Sequence, residues 1–330
     1  MVANAQFALP RKKTPVELGK AISSDSFMSC TVLLCTFNGA AYLDDQLRSL
    51  AAQTVPVLNV HVSDDGSTDA TLQILQHWQQ IWSKGAFQIS EGPQQGFSEN
   101  FRSLVLRASL DPYIAFSDQD DIWHPDKLEC AIAALRATPS VPALYGSRSV
   151  LVDEHGQRIG LSPLFRFAPS FANALVQSFA GGNTMVLNQP GFQLMQQSSR
   201  RTAFLMHDWW AYLIVSGAGG AVYYDATPHI DYRQHASNVL GGGLSLARRP
   251  QRLLELWNGK YVRWNRSNLS ALNTCRDLLD ERATALIHAF RRIRKSGPIS
   301  AVCQLRRSKI YRLTYKGNIA LFLAALVGRL

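Results

Sequence analysis

Apolar and polar positions in the first half of the chain fall into blocks that switch period. The apolar run Thr31 to Thr36 stops at Phe37-Asn38-Gly39, and Leu43, Leu47, Leu50 and Ala51 then recur every three or four residues. That sequence of patterns predicts strand, loop and helix. A second run, Val57 to Val62, ends in Ser63-Asp64-Asp65-Gly66-Ser67-Thr68-Asp69, after which Leu72, Leu75, Trp78 and Trp82 repeat at helical spacing. Ser67 or Thr68 is placed to cap that helix, with Asp69 in its first turn. Phe87 to Ser90 and Tyr113 to Ser117 read as further short strands, the latter running directly into Asp118-Gln119-Asp120-Asp121. Strands alternating with helices predict an α/β sheet of parallel strands.

Sheets of this class bind ligands beyond the carboxyl ends of their strands. Three polar clusters stand at such ends: Thr36 to Gly39, Ser63 to Asp69 and Asp118 to Asp121. Singly, each is ordinary turn chemistry; at successive strand ends, together, they point to one ligand site. Asp118 and Asp120 flank a single position, so they repel each other unless a cation or hydrogen-bond donors compensate. Carboxylate oxygens suit Mg²⁺ or Mn²⁺, and a diphosphate ligand would complete the coordination. The other reading of this cluster is an acidic turn capping a helix that begins near Pro125, with Trp123 in the core.

Composition narrows the setting. A chain of 330 residues that is 46% hydrophobic can bury a substantial core, as one large domain with an appendage or as two modest ones. Its five cysteines form no C-x-x-C pair and no metal-ligand spacing, which fits a reducing cytosol and suggests neither a disulfide framework nor a zinc site. Arg11, Lys12 and Lys13 are followed by no apolar segment of signal-peptide type, so the chain is expected to stay in the cytoplasm. The longest apolar run, Ile319 to Val327, is well short of the roughly 20 residues that span a bilayer.

Charge is distributed unevenly. From Gly241 to Leu330 there are 18 Lys and Arg against 4 Asp and Glu, a net +14, whereas residues 1–240 carry a net −4. A basic tail of this kind meets nucleic acid, anionic lipid or an anionic substrate. No RNA- or DNA-binding motif accompanies it. Basic and apolar residues interleave over Arg306 to Leu313, giving two readings: an interfacial helix on an anionic membrane, or a solvated basic face.

Six segments together carry a resemblance. They are CTFNGAAYLDDQL (Cys35 to Leu47), SDDGSTDAT (Ser63 to Thr71), GFSENF (Gly96 to Phe101), FSDQDDIWHPDKL (Phe116 to Leu128), HDWW (His207 to Trp210) and YRQHASNVLGG (Tyr232 to Gly242). In this order the chain resembles a family 2 inverting glycosyltransferase of GT-A fold, and within that family the bacterial rhamnosyltransferase-like enzymes of lipopolysaccharide and other surface glycans. The resemblance implies a Rossmann-like nucleotide-sugar-binding domain over residues 29–242, after a flexible tail of residues 1–28. A basic, mainly helical extension follows over residues 243–330, for which the charge pattern leaves both readings open, contact with the inner face of the cell membrane or a solvated basic face.

It also implies roles for individual residues. Thr36 and Asn38 lie by the nucleoside, Asp65 bonds the base, and Asp118 and Asp120 form the Asp-x-Asp motif, with Asp120 the more direct ligand of Mg²⁺ or Mn²⁺. Arg233 and His235 contact diphosphate or metal, although His235-Ala236-Ser237-Asn238 departs from the expected Gly or Asn in the middle of this motif. Asp208 is the general base, accepting the proton of an acceptor hydroxyl as it attacks the anomeric carbon. The donor is a nucleotide sugar, with dTDP-L-rhamnose the first choice, and the acceptor is a glycan or a lipid-linked oligosaccharide.

Each residue also has a structural reading. Asp208 could cap the helix that carries Trp209 and Trp210; these two are either core residues or stack on an acceptor sugar. His235 could be a hydrogen-bonded loop residue. Gly181-Gly182-Asn183-Thr184 is either a turn or a backbone surface beside the donor, with Asn183 contacting the nucleotide sugar. A non-catalytic nucleotide-sugar-binding or membrane-binding module is the rival to an enzyme.

Overall fold

In the computed structural model, which describes residues 29–235 and 259–330, strand β1 (Ser29–Thr36) is buried along nearly its whole length. Its alternate side chains feed two cores. Leu33 and Cys35 enter one, and Cys30, Val32 and Leu34 the other. A strand covered on both faces needs the continuous apolar run that the sequence shows.

Helix α1 (Leu43–Ala51), β2 (Val57–Asp64), α2 (Thr71–Ile81), β3 (Phe87–Glu91), α3 (Phe97–Arg107) and β4 (Tyr113–Ser117) follow in the expected alternation. Strands β3, β2, β1 and β4 are neighbours and parallel, so their carboxyl ends share one edge. Then come β5 (Ile122–Trp123), α4 (Lys127–Leu135), β6 (Ala143–Val152), β7 (Arg158–Leu161), α5 (Phe171–Ala174), β8 (Val186–Asn188), α6 (Gln189–Arg201), α7 (His207–Gly217) and β9 (Ala221–Arg233). The sheet continues from β4 through β8, β6 and β9 to β5, with β7 on the side of β6.

The sheet is mixed rather than parallel throughout. Strand β8 runs antiparallel to both β4 and β6, and β5 and β7 are antiparallel to their partners. Three-residue β8 enters from a tight 3₁₀ turn at Gly182–Thr184, and so reaches the sheet from the edge where the polar clusters lie. The cap expected for α2 also differs. Its N-cap is Ala70, without a side-chain bond; Asp69 instead accepts from the N–H of Thr71 at 3.0 Å, while Ser67 and Thr68 turn toward Asp64 and Asn38.

Four helices close the described chain: α8 (Lys260–Thr274), α9 (Glu281–Lys295), α10 (Pro298–Ser308) and α11 (Tyr315–Leu326). They share the larger core with α3, α6 and α7, through residues such as Leu272, Phe290 and Leu305, all fully buried. Each such side chain contributes roughly 1.5–3 kcal/mol on burial, which ties the basic region to the sheet domain. Among the described residues no helix is long and apolar enough to cross a membrane.

Candidate active site

The loops after β1 and β2 are built around Asp64. Its carboxylate accepts from the Thr36 hydroxyl at 2.7 Å, the Ser67 hydroxyl at 2.6 Å and the Ser67 N–H at 2.8 Å. Asn38 has φ 48°, in the left-handed region that Asn tolerates better than most residues. Its N–H donates to the Ser67 hydroxyl at 2.8 Å, and its side-chain carbonyl accepts from the N–H of Thr68 at 2.8 Å. Asp65 is buried and accepts from the N–H groups of Gln94 at 2.6 Å and Gly96 at 2.8 Å, holding the turn that precedes α3. Thr36, Asn38 and Asp65 are thus brought to one edge, with side chains that also shape its loops.

Gln119 fastens the third cluster to the first. Its amide accepts from the N–H of Phe37 at 2.8 Å and donates to the Phe37 carbonyl at 3.0 Å. Beside it, fully buried Asp121 accepts from the Asn183 amide at 2.6 Å and the N–H of Arg233 at 3.1 Å. The Arg233 guanidinium donates to the carbonyls of Asp120 at 3.0 Å and Glu154 at 2.9 Å, meets Asp45 at 3.3 Å, and lies 4.7 Å over the Tyr42 ring. Nε2 of His235 stands 2.7 Å from Oδ2 of Asp120, and the His235 ring lies 5.0 Å from that of Tyr42.

Negative charge is concentrated here. Burial, and then the charges of Asp120 and Asp208, push the Asp118 carboxyl up to about 7. Asp121 is driven well above the usual carboxylate range by burial, then by Asp120 and Asp118. Asp208, in the first turn of α7, is raised to about 6 by burial against the opposing hydrogen bond from the N–H of Trp209 at 2.7 Å. Carboxyl groups with such raised values, converging at the ends of β4 and β9, suit a cationic ligand and a proton acceptor working near neutral pH.

Residues 31–198 match the sequence model of glycosyl transferase family 2. The chain belongs to this family. It is 29% identical over 230 residues to the dTDP-rhamnosyl transferase RfbG of Shigella flexneri, covering 67% of this chain and 78% of that protein. It is also 30% identical over 99 residues to the putative teichuronic acid biosynthesis glycosyltransferase TuaG of Bacillus subtilis, covering 30% of this chain and 38% of that one. The S. aureus TarS 1-349 structure in complex with UDP-GlcNAc superposes over 91% of both chains with a TM-score of 0.52 and 16% identity. The fold is therefore GT-A, as the motifs implied, with a helical C-terminal region.

Within this glycosyltransferase two expected contacts are not available. Trp209 and Trp210 are 3% and 1% exposed, and their indole N–H groups donate to the Ala174 carbonyl at 2.7 Å and the Ser198 hydroxyl at 3.0 Å. With both faces in the core, neither has a surface for an acceptor sugar. Asp208 is not an N-cap, because Met206 holds that position. Asn183 is buried against Asp121, so it supports the acidic loop from beneath. The segment 236–242 of the last motif lies outside the described residues, as does the tail of residues 1–28.

Sequence reasoning missed Asp64, Gln119 and His207. Asp64 and Gln119 occur inside the motifs but read as ordinary turn residues. His207 stacks on Phe101 with ring centroids 3.7 Å apart, and a Cβ on Gly182 would lie 1.9 Å from its Nε2. The glycine of the 3₁₀ turn is therefore required by packing against the residue next to Asp208.

Proposed function

We propose that this family member is an inverting transferase that moves a sugar from a nucleotide-sugar donor to a glycan or lipid-linked acceptor in surface polysaccharide synthesis. The observation that carries the reading is that Asp208 and Asp120 both act electrostatically on Asp118, and His235 bonds Asp120, where β4 and β9 end and α7 begins. Asp208 accepts the proton of the attacking hydroxyl; its raised affinity for protons suits that task near pH 6 to 7. Arg233 holds the backbone of Asp120, and Asn183 holds Asp121, which fixes the acidic loop before donor binds.

Asp120 and Asp118, with the His235 imidazole 2.7 Å from Asp120, would hold Mg²⁺ or Mn²⁺ chiefly through carboxylate oxygens. Such an ion, when bound, neutralises the diphosphate as charge grows on it. Thr36, Asn38 and Asp65 line the nucleoside side of the same edge. The likeness to a dTDP-rhamnosyl transferase supports dTDP-L-rhamnose as the donor.

The protein works in the cytoplasm, peripherally on the inner face of the membrane. Tyr315, Ile319, Leu323 and Val327 are each more than half exposed and recur every four residues, so they form one apolar stripe along α11 and its end. Exposed Arg306, Arg307, Lys309, Lys316 and Arg329 belong to the same C-terminal segment, with Arg306 over the Phe322 ring of α11. An exposed apolar stripe in a strongly basic segment matches an anionic lipid surface.

The direct test presents a panel of nucleotide sugars, with Mg²⁺ or Mn²⁺, and a lipid-linked acceptor to the full-length chain, and measures nucleoside diphosphate release and sugar transfer. Transfer from dTDP-L-rhamnose with inverted configuration is expected. A folded chain that binds donor but neither transfers nor hydrolyses it is a binding module, and the enzymatic reading fails.

A further inference from the structure

A second group of metal-ligating side chains lies on a different part of β9, upstream of Arg233 and His235. Asp126 and Cys130 are four residues apart at the start of α4, and buried His229 faces them from β9. Nδ1 of His229 is 3.1 Å from Oδ1 of Asp126, and Sγ of Cys130 is 3.8 Å from Oδ2 of the same carboxylate. One donor atom from each of the three falls within 4.8 Å of the other two. A tetrahedral ion with bonds of about 2.0 Å to nitrogen and oxygen and about 2.3 Å to sulfur sets neighbouring donors roughly 3.3–3.6 Å apart. The separations of Asp126 from His229 and from Cys130 are close to that spacing, and the third pair lies within 4.8 Å.

The far side of His229 carries a second argument. Its Nε2 is 3.3 Å from Oδ2 of Asp225, the oxygen that also accepts the Tyr145 hydroxyl at 3.0 Å. A carboxylate behind an imidazole fixes the proton on the rear nitrogen and leaves the front lone pair for an ion, the arrangement common behind metal-bound histidines. Asp126, Asp225 and Glu129 all lie close enough to act electrostatically on Cys130, so the surroundings of the cluster are rich in negative charge. Thiol sulfur with imidazole and one carboxylate selects Zn²⁺ over Mg²⁺, unlike the oxygen-dominated set at Asp118 and Asp120.

We propose that Asp126, Cys130 and His229 form a Zn²⁺ site, with Asp225 orienting His229 and water in the fourth position. Binding releases the Cys130 proton to solvent and forms the Zn–S, Zn–N and Zn–O bonds without redox change. The ion joins the start of α4, which follows the Asp118 to Asp121 loop, to the strand that ends at Arg233. Zinc therefore braces the frame of the active-site loop without entering the reaction. This inference does not depend on which sugar is transferred.

The test uses the full-length chain freed of metal and titrated with Co²⁺ in excess Mg²⁺, followed by Zn²⁺ calorimetry and thermal melting. One Co²⁺ per chain is expected, with thiolate-to-cobalt charge-transfer absorption, and Zn²⁺ displaces it and raises the melting temperature. Cys130→Ser loses that absorption and binds Zn²⁺ at least tenfold more weakly, and Asp225→Asn weakens binding on the order of 10- to 100-fold. Circular dichroism confirms that each variant is folded. Absence of the charge-transfer band in the wild type overturns the proposal, as does equal Zn²⁺ affinity in Cys130→Ser. Zinc binding that is lost in Asp120→Asn but retained in Cys130→Ser assigns the ion to the catalytic loop and equally rejects this site.

Discussion

Nε2 of His235 lies 2.7 Å from Oδ2 of Asp120, joining the segment after β9 to the loop after β4 across 115 positions of sequence. The pair places an imidazole and a carboxylate side by side where the diphosphate is proposed to leave. Asp120→Asn keeps the shape but removes the charge, and turnover should fall on the order of 10²- to 10³-fold, the several kcal/mol that a metal-assisted step draws from its ligands. Chelator should abolish nucleoside diphosphate release, and Mn²⁺ or Mg²⁺ should restore it. Full turnover in excess chelator would end the metal-assisted reading.

The contact between Gly182 and His207 gives a prediction about packing. Gly182→Ala forces a Cβ into the His207 ring and should destabilise the fold by about 1–3 kcal/mol. His207→Ala makes room, so the double variant should be less destabilised than the two single changes added together. Denaturant melts of the four proteins check this; strict additivity would mean that the two residues do not press on each other.

The same histidine has neither ring nitrogen hydrogen-bonded, and burial drives it down to about 3. Its unfolded form takes up a proton near 6.5, so the wild type should lose stability as pH falls from about 6.5 toward 3. His207→Leu removes that proton uptake and the unsatisfied nitrogens, and should match the wild type or exceed it at low pH. Melting temperatures across pH 4 to 8 that run parallel for the two proteins would refute this.

Much of the site was legible because its parts lie in short segments at strand ends. The runs before Thr36, Asp64 and Ser117 are apolar enough to mark strands, and the residues that follow are the ones the structure gathers. Antiparallel β8 was not legible, since three residues carry no direction in their pattern. Trp209 and Trp210 were ambiguous because HDWW fits a binding surface and a buried helix equally, and only packing against Ala174 and Ser198 decides. The approach of His229 to Asp126 spans 103 positions, which no spacing rule detects.

The stripe on α11 is testable apart from the chemistry. Ile319→Glu with Leu323→Glu puts two charges into its centre, and each apolar side chain lost from a membrane interface is worth roughly 1.5–3 kcal/mol. Sedimentation with anionic vesicles should drop more than tenfold, while turnover on a soluble acceptor stays unchanged. High salt should weaken wild-type binding without abolishing it, because the apolar part is not screened. A folded double variant that sediments like the wild type would remove α11 from the membrane contact.

Asp208 decides whether the site is catalytic. Asp208→Asn preserves volume and can still accept from the N–H of Trp209, but it cannot take a proton, so turnover should fall on the order of 10²- to 10⁴-fold with donor affinity little changed. The wild-type rate should decline as pH drops through about 6, where the carboxylate becomes protonated, and the residual rate of the variant should lack that limb. Stability provides an independent sign. A carboxyl raised above its unfolded value stabilises the fold below that value and loses the contribution as pH rises through about 6, so the charged form weighs on the wild type at pH 8. Asp208→Asn should therefore melt at or above the wild-type temperature at pH 8, with the gain shrinking toward pH 4. Slow turnover in a protein that is at least as stable and binds donor normally identifies a proton acceptor. Near-normal turnover instead would leave Asp208 as a first-turn residue of α7 and the transfer without a base.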